Sequence, residues 1–326
     1  MLKTNVILIW IENMRFQLNL DLKEGLTVKM NEEVSGENKK KLNYKRVLLV
    51  VVIIIIMLLL IIFATVIKNN NKAEQIRIEA DKVAEEEIMK IAIETQKKEE
   101  ERQREKEREK QEEESATGII YLTFDDGPTS DSTPQILEIL KRRNIKATFF
   151  VLHYDEQHEQ FIKREQQEGH TIALHGYTHN YSELYQSAET CIENFEKIGN
   201  QVYQTTGERS KIIRFPGGSS NTISKKYCKG VMTELVNRVI ELGYRYFDWN
   251  VDSDDAGHAK TSQDIYNNVT SGIKPERKNV VLMHDFARNY KTIDALDSII
   301  SWGLEQGYVF RKITDETPMV THGVNN

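Results

Sequence analysis

The sequence is poor in cysteine and has no excess of basic residues. Cys191 and Cys228 are the only two cysteines in 326 residues. A disulfide framework or a thiolate zinc site needs about four, so neither is expected. The 44 Lys and Arg residues are outnumbered by 50 Asp and Glu residues, which gives a formal net charge of −6. Nucleic-acid-binding proteins carry a concentrated basic face, and this composition therefore argues against nucleic acid as a partner.

The most distinctive segment of the chain is an uncharged, almost entirely aliphatic run at residues 47–67. About 20 apolar residues in a helix cross the ~30 Å hydrocarbon core of a bilayer. A cleaved signal peptide has a shorter apolar core, of about 7–15 residues, and ends in a small-x-small site that is poor here. Lysines and an arginine crowd residues 39–46, which places the N-terminus in the cytoplasm by the positive-inside rule. The sequence thus predicts a single-pass signal anchor in the cell membrane, with the rest of the chain extracellular.

The other segments are defined by changes in composition. Residues 1–46 are the predicted cytoplasmic segment, and we hypothesise that residues 1–29 are not native, because a start at Met30 leaves a compact, lysine-rich lead-in to the anchor. Residues 68–117 carry Glu, Lys and Arg at spacings of three and four, which predicts an exposed helical stalk or linker. An apolar stripe that would make this stalk a coiled coil does not continue past Glu94, short of the three or four heptads required.

Residues 118–318 form the predicted globular domain, and residues 319–326 a C-terminal tail. Short β-rich runs alternate here with helical patterns. The predicted strands are 119–124, 147–152, 171–174, 212–215, 244–251, 280–283 and 308–311, with helices at 134–143, 232–242 and 292–306. Such alternation implies βα units with parallel pairing. The fold class is therefore α/β, with about seven strands that either close into a distorted barrel or remain an open sheet.

Polar clusters follow most of the predicted strands, where parallel βα folds concentrate their chemistry. Asp125 and Asp126 end the first strand, and since side chains alternate along a strand they can serve different roles around one centre. His175 and His179 are four residues apart and can direct both imidazoles at one cation. With Asp126 they make three protein ligands and leave a position open for water, as a catalytic metal requires. Taken singly, each motif is equally compatible with a surface turn or a structural histidine.

The fourth strand is followed by an arginine and then by glycines. Arg214 would orient Asp125 and keep it ionised, unless it forms an ordinary surface ion pair. The glycines from Gly217 onward permit a backbone N–H to approach a developing oxyanion closely.

Two further polar residues suggest a proton carrier and its partner. Asp252 and His284 form a candidate pair in which the carboxylate raises the pKa of the imidazole. Trp249 fits equally a core position or the wall of a pocket. A lone histidine is more often structural. The pair therefore indicates a proton carrier only because polar residues follow the other predicted strands as well.

Five segments, in order, resemble the motifs of the polysaccharide deacetylases with a NodB-homology domain, carbohydrate esterase family 4. They are TFDDGP from Thr123, HGYTH from His175, RFPGG from Arg214, DWNVDSDD from Asp248 and LMH from Leu282. The resemblance covers essentially all of residues 119–318. It implies a distorted (β/α) barrel and a divalent metal, with Zn²⁺ expected and Co²⁺, Mn²⁺ or Ni²⁺ as alternatives. The chain departs from the family pattern at Gly217, where tyrosine is common, and at Ala256, where an aromatic is common; both changes alter the wall of the groove.

The resemblance also assigns roles to individual residues. It implies metal ligands at Asp126, His175 and His179, a base at Asp125 steadied by Arg214, and an acid at His284 tuned by Asp252. Beside these roles we expect Gly217 to be the oxyanion donor, with Trp249 and Leu282 in the substrate pocket. The implied activity is removal of N- or O-acetyl groups from polymers such as peptidoglycan, chitin or xylan.

The predicted location narrows this range of substrates. An outward-facing domain on a stalk would meet the peptidoglycan glycan strand, with N-acetylglucosamine as the expected sugar and N-acetylmuramic acid as the alternative. The predicted function is thus that of a membrane-anchored peptidoglycan N-acetylglucosamine deacetylase. The alternatives are an O-acetyl esterase on xylan or another glycan, a catalytically silent glycan-binding module, and a scaffold that acts through the stalk.

Overall fold

The computed structural model describes residues 44–66, 71–275 and 277–326. Most of the predicted cytoplasmic segment lies outside the described residues, and so does the hypothesis about residues 1–29. The last position of the predicted anchor, Ile67, also lies outside them. The chain divides into two compact units, Met1–Glu99 and Glu100–Asn326.

The described part of the first unit is helical. Helix α1 spans Tyr44–Val66. Helix α2 spans Asn71–Ser115, occupies most of the predicted stalk and continues into the second unit. In the described ranges, no helix has both the length and the apolarity that a membrane crossing requires.

The second unit contains a parallel sheet that curves as a half-barrel. Its strands are β1 Gly118–Asp125, β2 Thr148–Val151, β3 Thr171–Leu174, β4 Ile212–Ile213, β5 Arg245–Tyr246, β6 Val251–Asp252, β7 Lys278–His284 and β8 Tyr308–Phe310. The order across the sheet is β5-β4-β3-β2-β1-β7-β6, and β8 pairs with the start of β1. Every pair is parallel, which confirms the predicted α/β class. Among the described residues the two ends of this path, β5 and β6, do not pair, so the barrel is not closed by hydrogen bonds.

Helices connect the strands. They are α3 Thr133–Arg143, α4 Glu159–Gln167, α5 Tyr181–Leu184, α6 Ala188–Thr206, α7 Val231–Glu241, α8 Ser262–Gly272 and α9 Tyr290–Glu305, with a 3₁₀ turn at Ile223–Lys226. The predicted helices 134–143, 232–242 and 292–306 are confirmed as α3, α7 and α9 within two residues at each end. Helices α3, α6, α7 and α9 each bury an apolar stripe, as α3 does with Ile136, Leu137 and Leu140.

The two faces of β1 contribute to two different apolar clusters. Ile120, Leu122 and Phe124 belong to the large cluster that also takes in the helices. Ile119 and Tyr121 belong to a small cluster of eight buried residues. This alternation follows from the two-residue period of a strand, and burial on both faces is typical of parallel sheets. The sheet therefore forms a rigid, fully packed support for its carboxyl edge.

The single strand predicted at 244–251 is wrong, because β5 and β6 are separated by residues 247–250. The carbonyl oxygens of Phe247 and Asp248 accept hydrogen bonds from the Arg214 guanidinium at 2.9 and 3.1 Å. The Asp248 N–H donates to Val320 of the C-terminal tail. These backbone groups are thus engaged outside the sheet ladder, which explains the break.

The tail at 319–326 packs against the loops that follow β4 and β5. His322 Nε2 lies 2.6 Å from the Trp249 carbonyl oxygen and must donate its proton there, so Nδ1 accepts from the Ser220 hydroxyl at 3.1 Å. The backbone N–H of Thr233 donates to the Asn326 carbonyl at 2.7 Å. The tail thereby fixes two loops at the carboxyl edge of the sheet.

Candidate active site

Two adjacent carboxylates lie at the end of β1. Asp125 is directly opposite His284 of β7 in the sheet register, while Asp126 has left the strand with a φ of 77°. This left-handed conformation lets the two side chains leave the strand end in different directions. Gly127 follows through a cis peptide bond to Pro128. A Cβ at Gly127 would stand only 2.0 Å from a carboxylate oxygen of Asp285, so the turn requires glycine for close approach.

Asp126, His175 and His179 come together as predicted. Asp126 Oδ1 lies 3.5 Å from His175 Nε2 and 3.8 Å from His179 Nε2. One ligand atom from each of the three lies within 4.8 Å of the others. Tetrahedral Zn²⁺ with bonds of ~2.0–2.2 Å holds its ligands roughly 3.4 Å apart, so these distances fit one shared cation.

An unpaired oxygen supports the same interpretation. Asp126 Oδ1 is buried and has no hydrogen-bond partner among the described residues. A buried carboxylate oxygen without a partner carries a large desolvation cost that a cation would offset. The donor set of one carboxylate and two imidazoles therefore fits a divalent metal of the zinc type.

The first histidine is held in the tautomer that a metal ligand needs. His175 Nδ1 donates to the Arg214 carbonyl oxygen at 2.9 Å, which leaves the Nε2 lone pair facing Asp126. Burial lowers the pKa of His175 to about 3, although the nearby charge of Asp126 raises it in part. The ring is therefore neutral at physiological pH. Neutral imidazole is the form that binds metals.

Arg214 is fully buried and is not the surface ion pair that the sequence left open. Its Nη1 donates to Asp125 Oδ1 at 2.7 Å and to the Thr123 hydroxyl at 2.8 Å. Burial raises the pKa of Asp125 above its ordinary value, and the Arg214 charge counters that rise only in part. A raised pKa makes the Asp125 carboxylate a better proton acceptor than an exposed aspartate.

The predicted pairing of Asp252 with His284 is wrong, because the partner of His284 is Asp255. Asp255 Oδ1 lies 2.7 Å from His284 Nδ1. Asp255 Oδ2 accepts from the His284 backbone N–H, from Asn289 and from Thr292, at 2.6–2.8 Å. Burial lowers the pKa of His284, but the hydrogen bond and charge of Asp255 outweigh it and bring the pKa to about 9. His284 is therefore protonated at neutral pH.

Asp252 has a different role. It is exposed, and its carboxylate accepts from Trp249 Nε1 at 3.2 Å and from the Asp254 backbone N–H at 2.8 Å. The sequence DSDD offered no basis for choosing among its acids, since the decisive contacts of Asp255 come from residues 29 to 37 positions away. Asn289 and Thr292, which support Asp255, were likewise missed, because neither belongs to a recognisable motif.

The remaining predicted residues line the same edge. Gly217 has a φ of 78°, and its N–H makes no hydrogen bond to another described residue. Trp249 covers the neighbouring Gly218, where a Cβ would meet the indole ring at 3.0 Å. Leu282 is buried on β7, two residues before His284.

Comparison with known proteins gives the same family as the motifs. The family model described as polysaccharide deacetylase matches residues 94–235 and thus includes the loops after β1, β3 and β4 but not Asp255 or His284. A peptidoglycan-N-acetylglucosamine deacetylase of Bacillus cereus is 33% identical over 209 residues, 61% of this chain and 70% of that protein.

Two further relatives differ from each other in the sugar they are named for. The peptidoglycan-N-acetylmuramic acid deacetylase PdaA of Bacillus subtilis is 30% identical over 200 residues, 60% of this chain and 70% of that protein. The crystal structure of the catalytic domain of peptidoglycan N-acetylglucosamine deacetylase from Eubacterium rectale is 42% identical, with a TM-score of 0.61, covering 64% of this chain and 94% of that one.

Proposed function

This chain belongs to the polysaccharide deacetylase family, and we propose that it hydrolyses the N-acetyl groups of cell-wall polysaccharide and releases acetate and a free amino sugar. Its relatives are named as deacetylases of peptidoglycan, which supports the glycan strand as substrate. N-acetylglucosamine is the proposed sugar, because the relative of highest identity among these three carries that name. N-acetylmuramic acid is the alternative that the Bacillus subtilis relative supports.

The observation that carries the proposal is the buried Asp126 Oδ1, which faces His175 and His179 and has no hydrogen-bond partner in the part of the chain that the structure describes. We assign these three residues as ligands of a divalent cation, proposed to be Zn²⁺ with Co²⁺, Mn²⁺ or Ni²⁺ as alternatives. When bound, such a cation supplies Lewis-acid polarisation of the acetyl carbonyl and lowers the pKa of water.

The chain's own residues then divide the proton transfers. Asp125, held by Arg214, takes a proton from the attacking water. The N–H of Gly217, which has no hydrogen-bond partner among the described residues, donates a hydrogen bond to the carbonyl oxygen as negative charge develops, an interaction worth roughly 3 kcal/mol in such sites. His284 donates the proton that the leaving nitrogen needs to depart as an amine.

The state of His284 supports an amide rather than an ester substrate. An amide nitrogen leaves only once it is protonated, and Asp255 keeps the His284 acid charged at neutral pH by raising its pKa to about 9, against the effect of burial. An ester has a better leaving group and depends less on such an acid. This contrast favours N-deacetylation over the O-acetyl esterase alternative.

The location of the enzyme rests on the sequence alone. We propose that residues 47–67 anchor the chain in the cell membrane as a single pass, with a cytoplasmic N-terminus and an extracellular catalytic domain. The uncharged run and its basic N-terminal flank support this topology. Retention in the membrane fraction after an alkaline carbonate wash, and loss of that retention in a chain that starts at Lys68, would be the expected result.

The direct test of function is acetate release from purified peptidoglycan. We expect activity in the full chain, loss of activity on chelation, and recovery on adding back one of the four metals. Asp126→Ala should lose both activity and bound metal, whereas His284→Ala should retain metal, measured by elemental analysis, and lose most turnover. A fully active Asp126→Ala variant would overturn the assigned site. Release of acetate from O-acetylated but not N-acetylated glycan would favour the esterase, and binding without acetate release the silent module.

A further inference from the structure

Position 217 has no side chain, and Tyr181 occupies the space that one would fill. A Cβ at Gly217 would stand 2.9 Å from the Tyr181 hydroxyl oxygen and 3.5 Å from a ring carbon of Tyr181. Tyr181 is the first residue of α5, two residues after the proposed ligand His179, and the two rings are 5.2 Å apart. The hydroxyl thus reaches the Gly217 backbone from the side of the proposed metal ligands.

The Tyr181 ring is held in place by its neighbours, but its hydroxyl group is not. The ring stacks on Tyr185 with centroids 5.9 Å apart and planes 15° apart. Tyr185 donates its own hydroxyl to the Pro216 carbonyl oxygen at 2.7 Å, which ties α5 to the loop carrying Gly217. The Tyr181 hydroxyl makes no hydrogen bond to another residue in the described part of the chain. An oriented ring with an uncommitted hydroxyl is suited to binding a ligand atom.

The geometry allows the hydroxyl and the Gly217 N–H to bind the same oxygen. A Cβ stands ~2.5 Å from its own backbone nitrogen, so the Tyr181 oxygen is at most about 5.4 Å from the Gly217 nitrogen. Two donors at that separation can each reach one acceptor at about 2.9 Å. Tyr181 is also close to the proposed ligands, since its ring centroid lies 5.2 Å from that of His179.

We propose that Tyr181 is a catalytic residue whose hydroxyl donates a second hydrogen bond, beside the Gly217 N–H, to the acetyl oxygen as it becomes an oxyanion. This inference rests on the proposed function of the site. The absence of a side chain at Gly217 is what gives the hydroxyl access. The bond strengthens as charge develops on the oxygen, so it should contribute to turnover more than to substrate binding.

The test is Tyr181→Phe in the full-length, metal-loaded enzyme, since this change removes the hydroxyl and keeps the ring. We expect kcat for acetate release from peptidoglycan to fall about 10- to 100-fold, with KM changed less than about twofold and metal content unchanged. Tyr203→Phe is the matched control, because Tyr203 is exposed on α6 and packs against Arg209. It should leave kcat and KM as in the wild type.

Tyr185→Phe separates a chemical role from a structural one. This variant loosens the link to Pro216 and should lower the melting temperature, whereas Tyr181→Phe should leave it within about 2 °C. A kcat of Tyr181→Phe within twofold of wild type would overturn the inference, as would a rise in KM alone, which would indicate contact with a sugar hydroxyl. If the wild type itself releases no acetate, the proposed function fails. If the wild type releases acetate and Asp126→Ala does not, the proposed function holds, and the Tyr181→Phe result tests only the role of Tyr181.

Discussion

Replacing Asp255 with asparagine should remove the group that keeps the proposed acid protonated. The carboxylate accepts four hydrogen bonds, two of them from His284 itself. Asparagine has the same shape but offers a single acceptor oxygen. If the amide nitrogen of this asparagine faces His284, it donates a hydrogen bond to Nδ1. His284 Nδ1 must then be unprotonated, and the ring is in its neutral form.

The size of the effect follows from the pKa of His284. Burial alone would lower this pKa, yet Asp255, with smaller contributions from the charges of Asp125 and Asp126, raises it from 6.5 to about 9, a difference of two to three units or about 3 kcal/mol. A general acid is active below its pKa, and its activity is lost as the pH rises through that pKa. We therefore expect the alkaline limb of the pH–rate profile to move about two units toward lower pH in Asp255→Asn. At pH 7.5 the protonated fraction of His284 would then fall from nearly all to about a quarter, so we expect kcat to fall roughly fourfold, and by more at higher pH.

The comparison with Asp252→Asn makes the assay decisive. Asp252 is exposed and contacts Trp249 rather than His284, so its variant should keep the alkaline limb within about half a unit of wild type. Thr292→Val removes one bond to Asp255 without changing its charge, and should lower the melting temperature while leaving the limb in place. Acetate release measured from pH 5 to 10 would refute the reasoning if Asp252→Asn moved the limb and Asp255→Asn did not.

Three further predictions concern groups away from the proton transfers. Glu165 is fully buried with no hydrogen-bond partner for either carboxylate oxygen among the described residues, and burial raises its pKa well above the ordinary value. Because the unfolded chain ionises this group more readily, the fold loses stability as the pH rises above about 4.3. Glu165→Met should therefore raise the free energy of unfolding by about 1–3 kcal/mol at pH 8 and by less at pH 5. Urea titrations that show no gain would contradict this. Gly127→Ala should cost stability and activity because its Cβ would overlap Asp285, whereas Gly323→Ala, with nothing within 4 Å, should be neutral in a thermal melt. A chain ending at Pro318 should melt at lower temperature and show a raised KM, because the His322 contacts to two loops at the site are lost; unchanged values would show that the tail does not support the site.

Local sequence patterns were sufficient for most strands and three helices of the second unit and for the cation cluster. Strand 171–174 and helices α3, α7 and α9 follow from alternation and from apolar spacing, which depend on neighbours a few residues away. Asp126, His175 and His179 were identifiable because each follows a strand, and parallel strands bring their carboxyl ends to one edge whatever the details of the loops.

Tertiary structure alone decided which acid meets His284, how deeply Arg214 is buried, and what covers Gly217. Asp254 adopts a φ of 59° and turns the loop after β6. As a result Asp255 faces His284 at the end of β7, whereas Asp252 faces solvent. The Tyr181–Gly217 approach joins positions 36 residues apart through the packing of α5 on the loop after β4. Local periodicity records which face of an element is buried, whereas the partner of a loop residue depends on the path of the loop and the register of distant strands, and the sequence states neither.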